Sequence, residues 1–299
     1  MTPVSLYNIA CSDALEKDKA KKLVSVVSEP AFDAKRAAAE FVKARRTAGS
    51  FTNYPGTAPP DLDSAYRCQD EAIALWGGAI AGWKVGWIPA PLSERFGAQR
   101  LVGPIFADSI VRAHGADTTV PMPVFAQGFA AVEAEFVVQL AKDAPANVVE
   151  WTAETARRFV RTMFIGIEIA SSPLININDY GPAVVASDFG NNAGLLLGPE
   201  IPDWQQRDPE SMHCETRIDG TVVGRGTAAA VRGGPLTALA FALRCNALRG
   251  RPLRAGDLIS TGAATGVHAI SAGQSAEAVF TGLGVLRCRT IPMTPVPPG

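Results

Sequence analysis

Several things this chain has little of narrow the possibilities first. Among 299 residues there are five cysteines, Cys11, Cys68, Cys214, Cys245 and Cys288, widely separated and without a Cys-x-x-Cys pair. An odd, dispersed set argues against a disulfide framework and against a thiolate zinc site, and free thiols in a reducing cytoplasm are the expectation. The three histidines, His114, His213 and His268, lie in unrelated contexts without metal-ligand spacing. Charged residues are only 19%, and the net charge of −1 leaves no basic excess for nucleic acid or an anionic membrane surface. No apolar run is long enough to span a bilayer, and the N-terminus lacks a basic stretch leading into an apolar core, so no signal peptide is expected. Gly-x-Ser-x-Gly, the P-loop and Gly-x-Gly-x-x-Gly are all missing, which removes serine-hydrolase and nucleotide-binding signatures.

What remains is 47% hydrophobic sequence, enough for a sizeable core in one large domain with or without a small appendage. Residues 31–48 and 62–76 read as helices, the second capped by Asp61, with Ala65, Tyr66, Gln69, Ile73 and Trp76 at helical spacing. Together they give a helical N-terminal unit over residues 1–79. A β-rich domain is expected over 80–290, with short apolar segments at 80–87, 104–111, 132–140, 163–171, 193–198, 214–224, 257–262 and 276–289. Two further helices are expected at 151–162, capped by Thr152, and at 235–249, opened by Pro235. Residues 291–299 read as a frayed tail. Strands that do not alternate regularly with helices imply an α+β fold of rolled or curved sheets rather than a doubly wound domain.

Three glutamates stand out against this apolar background. Glu133 and Glu135 lie in Ala-Val-Glu-Ala-Glu-Phe-Val-Val, and Glu168 in Phe-Ile-Gly-Ile-Glu-Ile-Ala. Two residues apart on a strand, Glu133 and Glu135 point the same way, roughly 6–7 Å apart. Burying carboxylates is costly without positive charge nearby. Taken alone, Glu-x-Glu reads first as a solvated strand face; with no basic residue adjacent in sequence, the third glutamate, Glu168 within a second apolar strand, makes a hard divalent cation with oxygen ligands the expected partner. Lys84, in Ala-Gly-Trp-Lys-Val-Gly-Trp, is either a snorkelling side chain or an amine that binds an anionic substrate or moves a proton, its pKa lowered by desolvation or a cation. The small-residue loop Thr261-Gly-Ala-Ala-Thr265-Gly266 follows a strand and could offer backbone N–H groups and hydroxyls to a carboxylate, but as a pattern alone it reads first as a plain strand-to-loop turn. Asp188, Asn191 and Asn192 read as turn chemistry.

Taken in order, Gly82-Trp-Lys-Val-Gly86, Gly103-Pro-Ile-Phe-Ala-Asp108, Val132-Glu-Ala-Glu135, Ile167-Glu168, Asp188, Pro235-Leu-x-Ala-Leu, Ala255-Gly-Asp-Leu-Ile-x-Thr-Gly262 and Phe280-x-Gly-Leu-Gly284 resemble the 2-keto-4-pentenoate hydratase / 4-oxalocrotonate decarboxylase family of the fumarylacetoacetate hydrolase superfamily. The resemblance covers about residues 62–290. It implies a mixed β-roll of the fumarylacetoacetate hydrolase C-terminal type and a Mg²⁺ or Mn²⁺ ion on Glu133, Glu135 and Glu168. It carries catalytic roles to Lys84 and Asp188, and substrate contacts to Ser172, Thr265 and Gly266. The implied activity is hydration of a 2-hydroxy-2,4-dienoate in aromatic-compound catabolism, by a cytoplasmic homo-oligomer whose partner is a small 2-keto or 2-hydroxydienoic acid.

Rival readings are a 4-oxalocrotonate-type decarboxylase, a C–C hydrolase or keto–enol tautomerase of the superfamily, and a non-enzymatic partner subunit. The last has no reason to keep three glutamates and Lys84, and a hydrolase would want a histidine base just upstream of Glu133, where none stands. This chain departs from the family pattern in lacking an acid over Ala98–Val102, and in carrying Pro173 and Phe189. Leu101, Val102 and Phe189 are therefore expected to make the distal pocket apolar and to favour a substrate with an uncharged tail.

Overall fold

The computed structural model describes residues 31–113, 115 and 118–296; residues 1–30, which include Cys11 and the start of the expected N-terminal unit, and also His114 and the last three tail residues, lie outside the described residues. Helix α1 (Ala34–Arg46) is capped by Asp33 and buries Ala37, Ala38, Phe41, Val42 and Arg45, one face at helical spacing. Helix α2 (Leu62–Trp76) starts at Asp61, whose side chain accepts from the Ser64 amide, and ends at left-handed Gly77. Gln69 ties α2 down, donating to the carbonyls of Val102 (3.0 Å) and Ala186 (2.7 Å).

The rest follows as β1 (Ile80–Trp87), α3 (Leu92–Phe96), β2 (Arg100–Phe106), β3 (Ile110–Arg112), β4 (Thr119–Val124), β5 (Phe129–Leu140), α4 (Ala153–Arg157), β6 (Val160–Ser172), α5 (Pro182–Ser187), β7 (Asn192–Glu200), β8 (His213–Ile218), β9 (Thr221–Thr227), α6 (Pro235–Leu248), β10 (Leu258–Ala263), β11 (His268–Ala269), β12 (Ser275–Phe280) and β13 (Gly284–Pro292). One sheet runs β2-β1-β10-β5-β6-β7-β3, with β11 also on β5; the other runs β4-β13-β12-β8-β9. The two form the mixed α+β architecture expected of the β-roll. Alternation places Val132, Ala134, Phe136 and Val138 of β5 in the main core with Ala276, Ala278 and Phe280 of β12, where the rings of Phe136 and Phe280 meet edge to face at 5.4 Å. The opposite face of β5 carries Glu133 and Glu135.

Some boundaries differ from expectation. The helix expected at 151–162 stops at Arg157, because from Val160 the chain is claimed by β5, with Leu140 opposite Val160. The segment 214–224 is a hairpin turning at Asp219-Gly220, both at positive φ, and 276–289 is likewise two strands. Strand β4 went unread because Pro121 and Pro123 argue against a strand; it lies at a sheet edge, parallel to β13, where missing N–H groups are tolerated. The described part of the tail is not frayed: β13 continues to Pro292, and the amides of Met293 and Val296 donate to the carbonyls of Val124 and Arg46. Among the described residues no helix is long and apolar enough to cross a membrane.

Candidate functional site

The site is built across four neighbouring strands. Lys84 of β1 is the register partner of Ser260 on β10. Ser260 faces Val137 of β5, on the side that carries Glu133 and Glu135. Glu133 sits directly opposite Glu168 of β6. One sheet face therefore collects three carboxylates and one ammonium, with ligand oxygens of the three glutamates all within 4.8 Å of one another. All four side chains are buried, Glu135 and Glu168 completely.

Hydrogen bonds fix half of each inner carboxylate. Glu135 Oε2 accepts from Ser260 Oγ (2.6 Å) and the Gly262 amide (2.9 Å). Glu168 Oε1 accepts from Asn192 Nδ2 (2.9 Å) and faces Lys84 Nζ at 3.2 Å. The other oxygens, Glu135 Oε1 and Glu168 Oε2, are buried without a partner. An unpartnered buried carboxylate oxygen is costly, and two in one cluster leave a set of donors that could hold a metal ion. Burial raises the Glu133 carboxyl to about 7, with Lys84 opposing and Glu168 reinforcing. Burial, then Glu168 and Glu133, raise Glu135 well above the usual carboxylate range. Lys84 was expected to have a lowered pKa. Burial does act that way, but Glu168, Glu133 and Glu135 together outweigh it and hold the amine above the ordinary lysine value.

Above Lys84 and Glu133 opens a cavity of about 430 Å³. Its polar wall holds Lys84, Glu133, Asn178 and Asn191; Trp87, Ile88, Leu92, Leu101, Val185 and Val267 make the larger apolar side chains of the remainder. Lys84 is the only cation, and no histidine is present, among the described residues that line it. His268 turns its Nε2 to the carbonyl and hydroxyl of Thr265.

Other expected contacts fall elsewhere. Asp188 does not line the cavity: both of its carboxylate oxygens are held by Arg45, at 2.6 and 2.9 Å. Ser172 is buried, its Oγ accepting from the Leu174 amide. The hydroxyls of Thr265 and Thr216 hydrogen-bond to each other (2.7 Å), and Gly266 is exposed. Neither lines the cavity, although Ala263 and Val267 of the same loop do. The Gly262 amide serves Glu135, and Thr261 donates to the Phe136 carbonyl, so the loop is spent on the sheet. Of the three residues expected to line the distal end, Leu101 does; Val102 and Phe189 are buried in the main core. Sequence reasoning missed Ser260 and Arg45 and read Asn191 and Asn192 only as turn residues; a polar side chain two residues before Gly262 in an apolar strand was the one available signal.

Against known proteins, residues 101–291 match the family described as fumarylacetoacetate (FAA) hydrolase C-terminal. A 2-keto-4-pentenoate hydratase 2 of Dechloromonas aromatica (strain RCB) is 30% identical, over 75% of this chain and 84% of that protein. A 4-oxalocrotonate decarboxylase of Pseudomonas sp is 32% identical, but over 53% of this chain and 60% of that protein. Among solved structures, 4-oxalocrotonate decarboxylase from Pseudomonas putida G7, complexed with magnesium and adipate, superposes with a TM-score of 0.72 at 20% identity, covering 86% of this chain and 97% of that one. The family match over most of the chain and the hydratase likeness agree: this chain belongs to the fumarylacetoacetate hydrolase C-terminal family.

Proposed function

We propose that this protein is a divalent-metal-dependent lyase that hydrates a 2-hydroxy-2,4-dienoate or a related 2-oxo-enoate, with Glu133, Glu135 and Glu168 as the metal ligands. The observation that carries this is the pair of unpartnered buried oxygens, Glu135 Oε1 and Glu168 Oε2, inside a cluster of three carboxylates. Three carboxylates against one ammonium leave two negative charges, the charge of one Mg²⁺ or Mn²⁺, and an all-oxygen donor set suits such hard ions. Solved relatives of the same fold are described with magnesium, calcium or Mn²⁺. When bound, the ion would act as a Lewis acid toward the carboxylate and keto oxygens of a 2-oxo acid.

The protein's own groups do the rest. Lys84 Nζ, kept as an ammonium by the glutamates, holds a proton at the cavity wall and donates to the substrate carboxylate. Asn191 Oδ1 accepts from that Nζ at 3.5 Å and limits where it points. Ser260 and Asn192 hold Glu135 and Glu168 in one orientation. The apolar wall of Ile88, Leu92, Leu101 and Val185 excludes water from the substrate's tail.

Hydration is preferred to decarboxylation of a dioic acid because, among the described residues that line the cavity, a second carboxylate would meet no second cation. Likeness to a 4-oxalocrotonate decarboxylase keeps decarboxylation as the second reading. The test is turnover of a monocarboxylic 2-hydroxydienoate and its dicarboxylic counterpart, with Mg²⁺ or Mn²⁺, followed by loss of ultraviolet absorbance and by product analysis. Metal-dependent formation of a 4-hydroxy-2-oxo acid is expected. Preference for the dicarboxylate with release of CO₂ would establish the second reading instead.

A further inference from the structure

Asn191 and Asn192 reach the site from the turn between α5 and β7, and that turn is unusual. Phe189, Gly190 and Asn191 follow one another at φ of 53°, 63° and 56°, a left-handed run that side chains other than glycine rarely adopt. On one side its backbone lies flat on Gly103, where an added Cβ would sit 2.0 Å from the Phe189 carbonyl oxygen. On the other side stands a single buried guanidinium, that of Arg45 near the end of α1. Its Nε and Nη2 take the two oxygens of the Asp188 side chain, and Nη2 also reaches the Asp188 carbonyl at 3.3 Å. Its Nη1 donates to the Asn192 carbonyl (3.1 Å), and Nη2 to the Ser171 carbonyl (3.2 Å) on β6. The Phe189 ring lies 5.0 Å from the guanidinium carbon. One side chain thus grips the first and last residues of the 188–192 segment, and the strand that carries Glu168.

We propose that Arg45 is a positioning residue for the metal and substrate site: by clamping 188–192 it sets Asn192 Nδ2 on Glu168 and Asn191 Oδ1 on Lys84. Divalent-ion affinity then depends on helix α1, none of whose residues lines the cavity. The arginine fork is required, since a lysine point charge can pair with Asp188 but cannot also span the carbonyls of Asn192 and Ser171. The role also explains why Asp188 is buried and fully engaged away from the cavity. Its partner is the clamp. The inference rests on the metal reading above for one of its two readouts.

The full-length protein is compared with Arg45→Lys, Asn192→Ala and the double variant. Mn²⁺ affinity is read from the spin-resonance signal of the free ion, and backbone exchange is read at the Asn191 amide, which donates to the Asp188 carbonyl. Each single variant is expected to bind Mn²⁺ about tenfold more weakly, the usual loss when a partner that orients a ligand is removed. The double variant should be no weaker than about the same tenfold, because both changes act along one path. Arg45→Lys should also speed exchange at Asn191 while the centre of β6 stays protected. An arginine that only stabilised the fold would lower the melting temperature and leave both readouts of the folded protein unchanged, overturning the proposal. Additive losses of about a hundredfold in the double variant would overturn it too. Should Arg45→Lys not fold, Asp188→Asn keeps the shape, removes the charge that fixes the guanidinium, and is judged by the same two readouts. Failure of the wild type to take up Mn²⁺ would overturn the metal reading alone, and unchanged Asn191 exchange in the variant would still overturn the clamp.

Discussion

Removing the cation should turn the glutamate cluster into a source of pH-dependent instability, and Glu133→Gln isolates that effect. Burial first, and Glu168 after the opposing Lys84, lift the Glu133 carboxyl from 4.5 to about 7. A carboxyl whose folded pKa lies above its unfolded value binds its proton more tightly in the native state. Its contribution to stability is complete below about pH 4.5 and is lost as pH rises through about 7. A move from 4.5 to about 7 corresponds to about 3 kcal/mol, or on the order of 5–10 °C of melting temperature for a domain of this size. Glu135 is shifted in the same direction and adds to the trend. A divalent ion competes with the proton for the same oxygens, so its stabilisation should be small at pH 5 and large at pH 8. At a concentration of one hundred times Kd it contributes about 2.7 kcal/mol.

The assay is thermal unfolding at pH 5, 6, 7 and 8, in chelator and in Mg²⁺, for the wild type and Glu133→Gln. Other groups also titrate, among them Asp257, raised by burial, and His268, lowered by burial; subtracting the variant's curve removes them. In chelator the wild type should lose stability relative to the variant between pH 5 and 8, and Mg²⁺ should restore it only toward pH 8. Parallel pH profiles for the two proteins would refute the reasoning.

Lys84→Met should lower turnover by about 10² or more while Mn²⁺ affinity, measured by titration calorimetry, stays equal or tightens, since a cation leaves the cluster; wild-type turnover would make Lys84 a structural ammonium only. Leu101→Arg should place a second cation at the apolar wall and move the ratio of kcat/KM about tenfold or more toward a dicarboxylic substrate, the scale of one charged hydrogen bond; an unchanged ratio would take Leu101 away from the substrate tail. Gly103→Ala drives a methyl into the Phe189 carbonyl and should cost about 1–3 kcal/mol in denaturant unfolding; wild-type stability would show that the 188–192 segment tolerates displacement.

How much was legible beforehand follows from where each signal resides. Glu133 and Glu135 can be read because a period of two within an apolar strand needs no tertiary knowledge, and Lys84 because a lysine between Trp83 and Val85 is conspicuous. That these meet Glu168 depends on which strands pair, and the resemblance supplied what periodicity could not. Arg45 was illegible: on α1 it looks like the cationic last turn of any helix, and only the fold carries it to Asp188 across 143 residues. Asn191 and Asn192 carried turn chemistry truly enough, but their amide groups gain a use only once the turn is set against β1 and β6. Val102 and Phe189 show the limit of substitution reasoning. Both are apolar where a polar family residue was expected, yet both face the core, while the cavity wall is made by Ile88, Leu92 and Val185, which no motif marked.

The most direct test is anomalous diffraction from crystals of this protein grown with Mn²⁺. One peak is predicted, between the carboxylates of Glu133, Glu135 and Glu168, with oxygens of all three glutamates at about 2.0–2.3 Å, close to the spacing of small hard cations. No peak at millimolar Mn²⁺, or a peak elsewhere with Glu135 Oε1 and Glu168 Oε2 still unpartnered, would contradict the account.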